Sequence, residues 1–203
     1  MQRFKKLYIY GDSNTYGYNP LASCYDDDRL PEEKRWPVIL QNNLKSSIEI
    51  VEDGVNGRCL PVSESERECF IKSLERYGKL DYIAVMLGTN DILNQASPDP
   101  EELSEYMGKL IDSIRSVYED CKVIVITPPK MGFPEGHSMH GYQETNKKLR
   151  ELYKLISERE NTGFIDTGNW DIDLFYDGIH LTECGNVQFA ENMLKTLKDL
   201  EIY

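Results

Sequence analysis

The chain has 203 residues, of which 40% are hydrophobic and 29% are charged, and its formal net charge is −12. This length and composition predict a single folded domain over residues 1–203 and exclude a wholly disordered chain. The acidic balance argues against nucleic acid and against an anionic membrane surface as partners, because both require a basic protein surface.

Short apolar runs alternate with longer segments of helical period along the whole chain. The strand runs are almost continuously apolar, which is typical of parallel strands that are buried on both faces. The alternation predicts an α/β fold, a three-layer α/β/α, flavodoxin-like, doubly wound parallel sheet of about five strands. In chain order the predicted strands are Leu7–Tyr10, Ile48–Val51, Tyr82–Leu87, Val123–Thr127 and Gly163–Ile165, and the predicted helices are about Trp36–Leu44, Ser65–Tyr77, Glu101–Tyr118, Tyr142–Ser157 and Thr182–Leu200.

Two long loops, Tyr16–Arg35 and Pro128–Gly141, follow predicted strands. Both are therefore expected at the carboxyl edge of the sheet, where ligands bind in open α/β folds. Aromatic side chains in and beside these loops could stack on a sugar or aryl group, or could simply pack the loops together. They are Tyr16, Tyr18, Tyr25, Phe133 and Tyr142.

A candidate nucleophile, Ser13, follows the first predicted strand in the segment Gly11-Asp12-Ser13. Alone this is a common turn composition, and a serine hydroxyl needs a base before it can attack. The spacing Asp177-x-x-His180 lets a carboxylate and an imidazole converge within one turn, where the aspartate would hold the imidazole in the correct tautomer. In chain order the predicted catalytic set is Ser13, Asp177 and His180.

An acyl carbonyl under attack becomes an oxyanion and needs preorganised hydrogen-bond donors. Three candidates follow successive predicted strands: the backbone N–H of Ser13, the backbone N–H of Gly57 and the side-chain amide of Asn90. Two acidic neighbours, Asp12 and Asp91, are interpreted as supporting residues that fix the Ser13 turn and brace the Asn90 loop.

The other polar clusters favour ordinary structural roles. His137 and His140 have a spacing that could suit a metal, but no third ligand is evident, so we expect solvated loop residues and no metal site. Residues 26–28 are three aspartates without the remaining ligands of a calcium loop. The five cysteines include no Cys-x-x-Cys pair, which favours free thiols in a reducing compartment.

The sequence contains four blocks in chain order: Gly11-Asp12-Ser13, Gly57, Gly88-Thr89-Asn90-Asp91 and Asp177-x-x-His180. Together these blocks resemble the SGNH hydrolase superfamily, also called the GDSL-type esterases and lipases. The pattern is closest to the arylesterase and acyltransferase branch, although Asn14 stands where many members have leucine. The resemblance implies that Ser13 is the nucleophile, Gly57 and Asn90 are oxyanion donors, His180 is the base and Asp177 orients it.

The expected function is that of a serine esterase that hydrolyses short-chain acyl esters of a small alcohol or carbohydrate through an acyl-enzyme on Ser13. Acetyl esters are the first expectation, and no cofactor is needed. A lysophospholipase or a thioesterase would use the same three catalytic residues. A non-hydrolytic binding module for acylated sugars is a further alternative, but such a protein would have lost one of Ser13, Asp177 and His180. No Gly-x-Ser-x-Gly elbow surrounds the serine, which disfavours an α/β-hydrolase.

The expected partner is a small-molecule ester. The sequence does not decide between a monomer and a homo-oligomer. We expect a cytoplasmic protein, because the first strand and Ser13 come almost at once and leave no room for a removable leader.

Overall fold

The computed structural model describes residues 4–45 and 47–203. Two single turns of 3-10 helix, Glu32–Lys34 and Glu75–Tyr77, supplement the main elements. The strands are β1 (Lys5–Gly11), β2 (Ile48–Gly54), β3 (Tyr82–Met86), β4 (Lys122–Ile126) and β5 (Gly163–Ile165), and the helices are α1 (Ser13–Tyr16), α2 (Trp36–Leu44), α3 (Glu64–Leu74), α4 (Thr89–Leu93), α5 (Pro100–Val117), α6 (Tyr142–Arg159) and α7 (Glu183–Asp199).

All five strands pair in parallel, in the order β2-β1-β3-β4-β5. This sheet with helices on both faces confirms the predicted fold class. The strand order reverses direction between β1 and β3, and such a switch point leaves a crevice at the carboxyl ends of the two strands. Gly11 at the end of β1 pairs with Gly54 of β2 on one side and Met86 of β3 on the other.

Alternate side chains of each strand enter two separate cores. In β1, Leu7 and Ile9 pack into the core beneath α2 and α7, whereas Tyr8 and Tyr10 pack into the core beneath α3, α5 and α6. Because residues 7–10 are buried on both faces of the sheet, this part of the strand is continuously apolar rather than alternating. The result is a three-layer α/β/α architecture with the sheet in the middle.

Glycines permit a close approach between the first turn after β1 and the neighbouring strand. A Cβ on Gly54 would lie 2.1 Å from the backbone nitrogen of Tyr16, and one on Gly11 would lie 2.0 Å from the hydroxyl of Thr15. Only glycine fits at these two places, so α1 packs directly over the ends of β1 and β2.

The C-terminal helix starts at a well-defined point. The Thr182 side chain accepts a hydrogen bond from the Gly185 backbone N–H at 2.9 Å and caps α7. The cap fixes where the loop before α7 ends, and that loop carries Asp177 and His180.

No helix in the described part of the chain combines the length and apolarity needed to cross a lipid bilayer.

Candidate active site

Ser13 is the first residue of α1 and is buried, with 6% of its surface exposed. Its position is set by Asp12, whose carboxylate accepts a hydrogen bond from the Asn14 backbone N–H at 2.9 Å and caps the short helix. Burial raises the pKa of Asp12 to about 6, although the hydrogen bond from the Asn14 backbone opposes the rise.

The structure brings Ser13, His180 and Asp177 into one hydrogen-bonded chain. The Ser13 Oγ lies 2.9 Å from His180 Nε2, and His180 Nδ1 lies 2.6 Å from Asp177 Oδ2. When Nδ1 carries the proton and donates it to the carboxylate, Nε2 is free to accept the proton of the serine hydroxyl. The geometry is therefore that of a nucleophile, a base and a group that orients the base.

A tight turn holds the carboxylate and the imidazole together. Asp177 Oδ1 accepts the backbone N–H groups of Ile179 at 2.9 Å and His180 at 3.0 Å, and Gly178 between them has a φ of 68°. Burial alone would raise the pKa of Asp177, but the hydrogen bonds from the His180 side chain and from these backbone groups hold it below its usual value. The carboxylate is thus kept ionised beside the imidazole.

Asn90 lies across the crevice from the first strand, as the second residue of α4. Its side-chain amide donates to the Arg58 carbonyl oxygen at 3.0 Å. An amide nitrogen carries two hydrogens, so the second remains to donate to a substrate oxygen. Gly57, which precedes Arg58, lies in an exposed turn with a φ of 73°.

Asp91 joins this turn to α4. Its carboxylate accepts the backbone N–H of Leu60 at 3.1 Å and is itself buried, which raises its pKa to about 6. Together with the Asn90 amide, this contact fixes residues 57–60 against the start of α4. Asp91 therefore connects the turn at residues 57–60 to α4, which begins one residue before Asn90.

Arg58 has a structural part in the site that the sequence reasoning missed. Its guanidinium donates to the Gly11 carbonyl oxygen at 2.9 Å and to the Asp53 carboxylate at 2.9 Å, and stacks over the Tyr10 ring at 4.2 Å. It connects the strand before Ser13 with the turn that contains Gly57. No local sequence signal indicates this role, because Arg58 meets Gly11 across 47 positions of the chain.

Among the aromatic candidates, Tyr18 is the side chain that packs against the His180 imidazole. Its ring centroid lies 4.6 Å from that of His180. Tyr25 projects with 95% of its surface exposed, while Phe133 is buried and stacks on His137. Tyr16 contacts Arg29 and Asp28, and Tyr142 donates to the Gln95 carbonyl oxygen.

His137 and His140 form contacts within their own loop. His137 accepts the Met139 backbone N–H, and His140 Nδ1 lies 3.0 Å from the Phe133 carbonyl oxygen. Across residues 4–45 and 47–203, no three histidine, cysteine or carboxylate side chains converge as a metal site would require.

A cavity of about 700 Å³ lies between β1, β2 and α3, on the side of the Gly57 turn. Its lining includes Tyr10, Arg58, Leu60 and Phe70 but none of Ser13, Asp177 and His180. It therefore does not mark where the scissile ester would lie.

The fold, with its hydrogen-bonded serine, histidine and aspartate, is that of a carboxylic ester hydrolase. It belongs to the GDSL-like lipase/acylhydrolase family, which it matches over residues 9–187. The resemblance seen in the four sequence blocks is thereby confirmed. No curated protein matches the sequence.

Several solved esterase structures share the fold. A carbohydrate acetylesterase from Sinorhizobium meliloti is 26% identical, with a TM-score of 0.82 over 97% of this chain and 99% of that one. The aryl esterase of M. smegmatis is 23% identical, with a TM-score of 0.80 over 97% and 99%. An acetylxylan esterase from Geobacillus stearothermophilus is 17% identical, with a TM-score of 0.72 over 97% and 96%.

Proposed function

We propose that the enzyme hydrolyses short-chain acyl esters, acetyl esters first, of a small alcohol or carbohydrate, by a double displacement through an acyl-enzyme on Ser13. The observation that carries the proposal is the continuous hydrogen-bonded chain from Ser13 Oγ through the His180 imidazole to the Asp177 carboxylate. The choice of acetyl and carbohydrate draws support from the acetylesterases among the similar folds.

In the first displacement, Ser13 Oγ attacks the ester carbonyl carbon while its proton passes to His180 Nε2. The imidazolium that forms is stabilised by the ionised Asp177. The carbonyl oxygen becomes an oxyanion, for which we assign as donors the backbone N–H groups of Ser13 and Gly57 and the Asn90 amide. Collapse of the tetrahedral intermediate breaks the ester C–O bond, and Nε2–H protonates the leaving alcohol.

In the second displacement, water attacks the acyl-enzyme and gives one proton to His180 Nε2. The same donors stabilise the second oxyanion. Breaking the bond to Ser13 Oγ releases the carboxylic acid, and the proton on Nε2 returns to the serine. The Tyr18 ring packs beside the imidazole, with its centroid 4.6 Å from that of His180.

The test of this proposal is Ser13→Ala in an assay with p-nitrophenyl acetate, with Ser157→Ala as the matched control. Ser157 is also buried, but it lies on α6. We expect Ser13→Ala to reduce kcat by at least ~10³-fold and Ser157→Ala to hydrolyse at the rate of the unmodified enzyme. Retained hydrolysis by Ser13→Ala would refute the mechanism, and a fluorophosphonate probe should label Ser13 itself.

A panel of esters tests the substrate class separately. It should contain p-nitrophenyl acetate, butyrate and octanoate, an acetylated xylo-oligosaccharide, a lysophospholipid and an acyl thioester. We expect kcat/KM to fall as the acyl chain lengthens and to be highest among the acetyl esters. A maximum for the lysophospholipid or the thioester would replace this substrate assignment and leave the mechanism standing.

A further inference from the structure

Asn14, the residue directly after Ser13, is bound to the loop that carries His180. Its side-chain amide donates to the Ile179 carbonyl oxygen at 3.1 Å, and its side-chain oxygen accepts the Leu181 backbone N–H at 3.1 Å. The two backbone groups flank His180 on either side. A single asparagine therefore holds the histidine's backbone from both sides with two complementary hydrogen bonds.

The contact belongs to a closed ring of buried hydrogen bonds. Trp36 Nε1 donates to the Asn14 carbonyl oxygen at 3.0 Å, and the Trp36 backbone N–H donates to Asn186 Oδ1 at 3.0 Å. Asn186 Nδ2 in turn donates to the Leu181 carbonyl oxygen at 3.2 Å. Asn14, Trp36, Leu181 and Asn186 are each no more than 3% exposed, so water competes little for these bonds.

The ring joins two segments that are far apart in the chain. Asn14 and Leu181 are separated by 167 positions, as are Ser13 and His180. The distance between Ser13 and His180 therefore depends on the hydrogen bond that joins their neighbours, Asn14 and Leu181. A misplacement of about 1 Å between reacting groups can cost about 10²-fold in rate.

A leucine at this position could make neither hydrogen bond and would leave the Ile179 carbonyl and the Leu181 N–H unpaired in the interior. Asparagine supplies one donor and one acceptor at the spacing that these two groups require. This pairing accounts for a polar residue with 3% exposure directly behind the nucleophile.

We propose that Asn14 is a positioning residue that sets the distance and direction between Ser13 Oγ and His180 Nε2 by clamping the backbone on both sides of His180. The proposal rests on the proposed function of Ser13 and His180. Asn14 acts through the backbone of the base and touches no reacting atom.

The experiment compares Asn14→Leu and the milder Asn14→Asp with the unmodified enzyme and with Asn146→Leu. Asn146 is a matched control because it is 2% exposed and its amide donates to the Pro129 carbonyl oxygen at 2.8 Å, on α6. For each protein, kcat and KM for p-nitrophenyl acetate are measured on samples shown by circular dichroism to be folded. The downfield proton resonance of the His180–Asp177 bond is recorded by NMR.

We expect Asn14→Leu to lower kcat by about 100-fold with KM within threefold, and to shift or broaden the downfield resonance. Asn14→Asp keeps the acceptor for the Leu181 N–H, so its kcat should fall less than that of Asn14→Leu. If the leucine variant does not fold, the aspartate variant is used for the test instead. Asn146→Leu should keep its kcat within threefold and its resonance in place.

A folded Asn14→Leu or Asn14→Asp with unchanged kcat and resonance would overturn the proposal, as would an equal loss of kcat in Asn146→Leu. Failure of the underlying function gives a different result. In that case the unmodified enzyme itself shows no hydrolysis that depends on Ser13.

Discussion

Replacing Asp177 by asparagine should invert the proton arrangement of the imidazole. One carboxylate oxygen of Asp177 accepts the backbone N–H groups of Ile179 and His180 at 2.9 and 3.0 Å, and the other faces His180 Nδ1 at 2.6 Å. An asparagine oxygen would keep the two backbone bonds, because an amide nitrogen cannot accept them. Its NH₂ group would then face Nδ1, which must become the acceptor, and the proton moves to Nε2.

The loss of activity caused by this inversion follows from the contact between His180 and Ser13. With its proton on Nε2, the imidazole can only donate to Ser13 Oγ, 2.9 Å away, and cannot accept the serine proton. We expect Asp177→Asn to lower kcat/KM by about 10⁴-fold, which corresponds to about 5.4 kcal/mol of transition-state stabilisation. The binding of substrate should change little, because the exchanged atoms lie behind the imidazole.

The assay is initial-rate hydrolysis of p-nitrophenyl acetate, with Asp173→Asn as the control. Asp173 lies four residues earlier, and its carboxylate accepts the Thr182 hydroxyl at 2.6 Å. The control should retain kcat/KM within threefold. A loss of less than about tenfold in Asp177→Asn would show that the tautomer argument is wrong.

Three further predictions concern the Asn90 side of the crevice. Asn90→Ala should lower kcat by about 10²–10³-fold in the same assay, because one oxyanion donor is lost, and should cost about 0.5–1.5 kcal/mol of stability, because its hydrogen bond to the Arg58 carbonyl is lost; an unaltered kcat would remove Asn90 from the oxyanion site. Burial raises the pKa of Asp91 from 3.8 to about 6, so the free energy of unfolding falls by about 3 kcal/mol as pH rises through this interval and the carboxyl group ionises. Asp91→Asn lacks this titration, so its free energy of unfolding, measured with urea, should rise by about 3 kcal/mol relative to that of the unmodified protein from pH 4 to pH 7. A difference that stays constant with pH would contradict this. Gly88 has a φ of 130°, and a Cβ there would lie 2.8 Å from Leu149, so Gly88→Ala should cost about 1–3 kcal/mol in urea unfolding at pH 7; equal stability would show that the strain is absent.

The sequence predicts the strands well because their burial on both faces leaves a plain apolar signal. The predicted strand Leu7–Tyr10 lies within the observed Lys5–Gly11, and the predicted helix Trp36–Leu44 has the observed bounds. The short helices α1 and α4 gave no such signal. They are four and five residues long and bury polar residues, so no apolar period could develop.

Parts of the candidate site could also be recognised, for a local reason. Asp177 and His180 are three residues apart, and their contact depends on one turn that the spacing already suggests. The contacts of Asn14 and Arg58 lay beyond such reasoning. Asn14 meets Ile179 across 165 positions, and Arg58 meets Gly11 across 47, so these contacts exist only once the strands are paired.

The separation of Ser13 from His180 by 167 positions also has a consequence during synthesis. At about 5–20 residues per second, a ribosome needs roughly 10–30 s to go from the serine to the histidine. Throughout that interval the emerging chain carries a serine with no base to activate it. Under the proposed mechanism Ser13 is therefore latent on the ribosome, and it becomes reactive only when the C-terminal segment docks against α1 and α2.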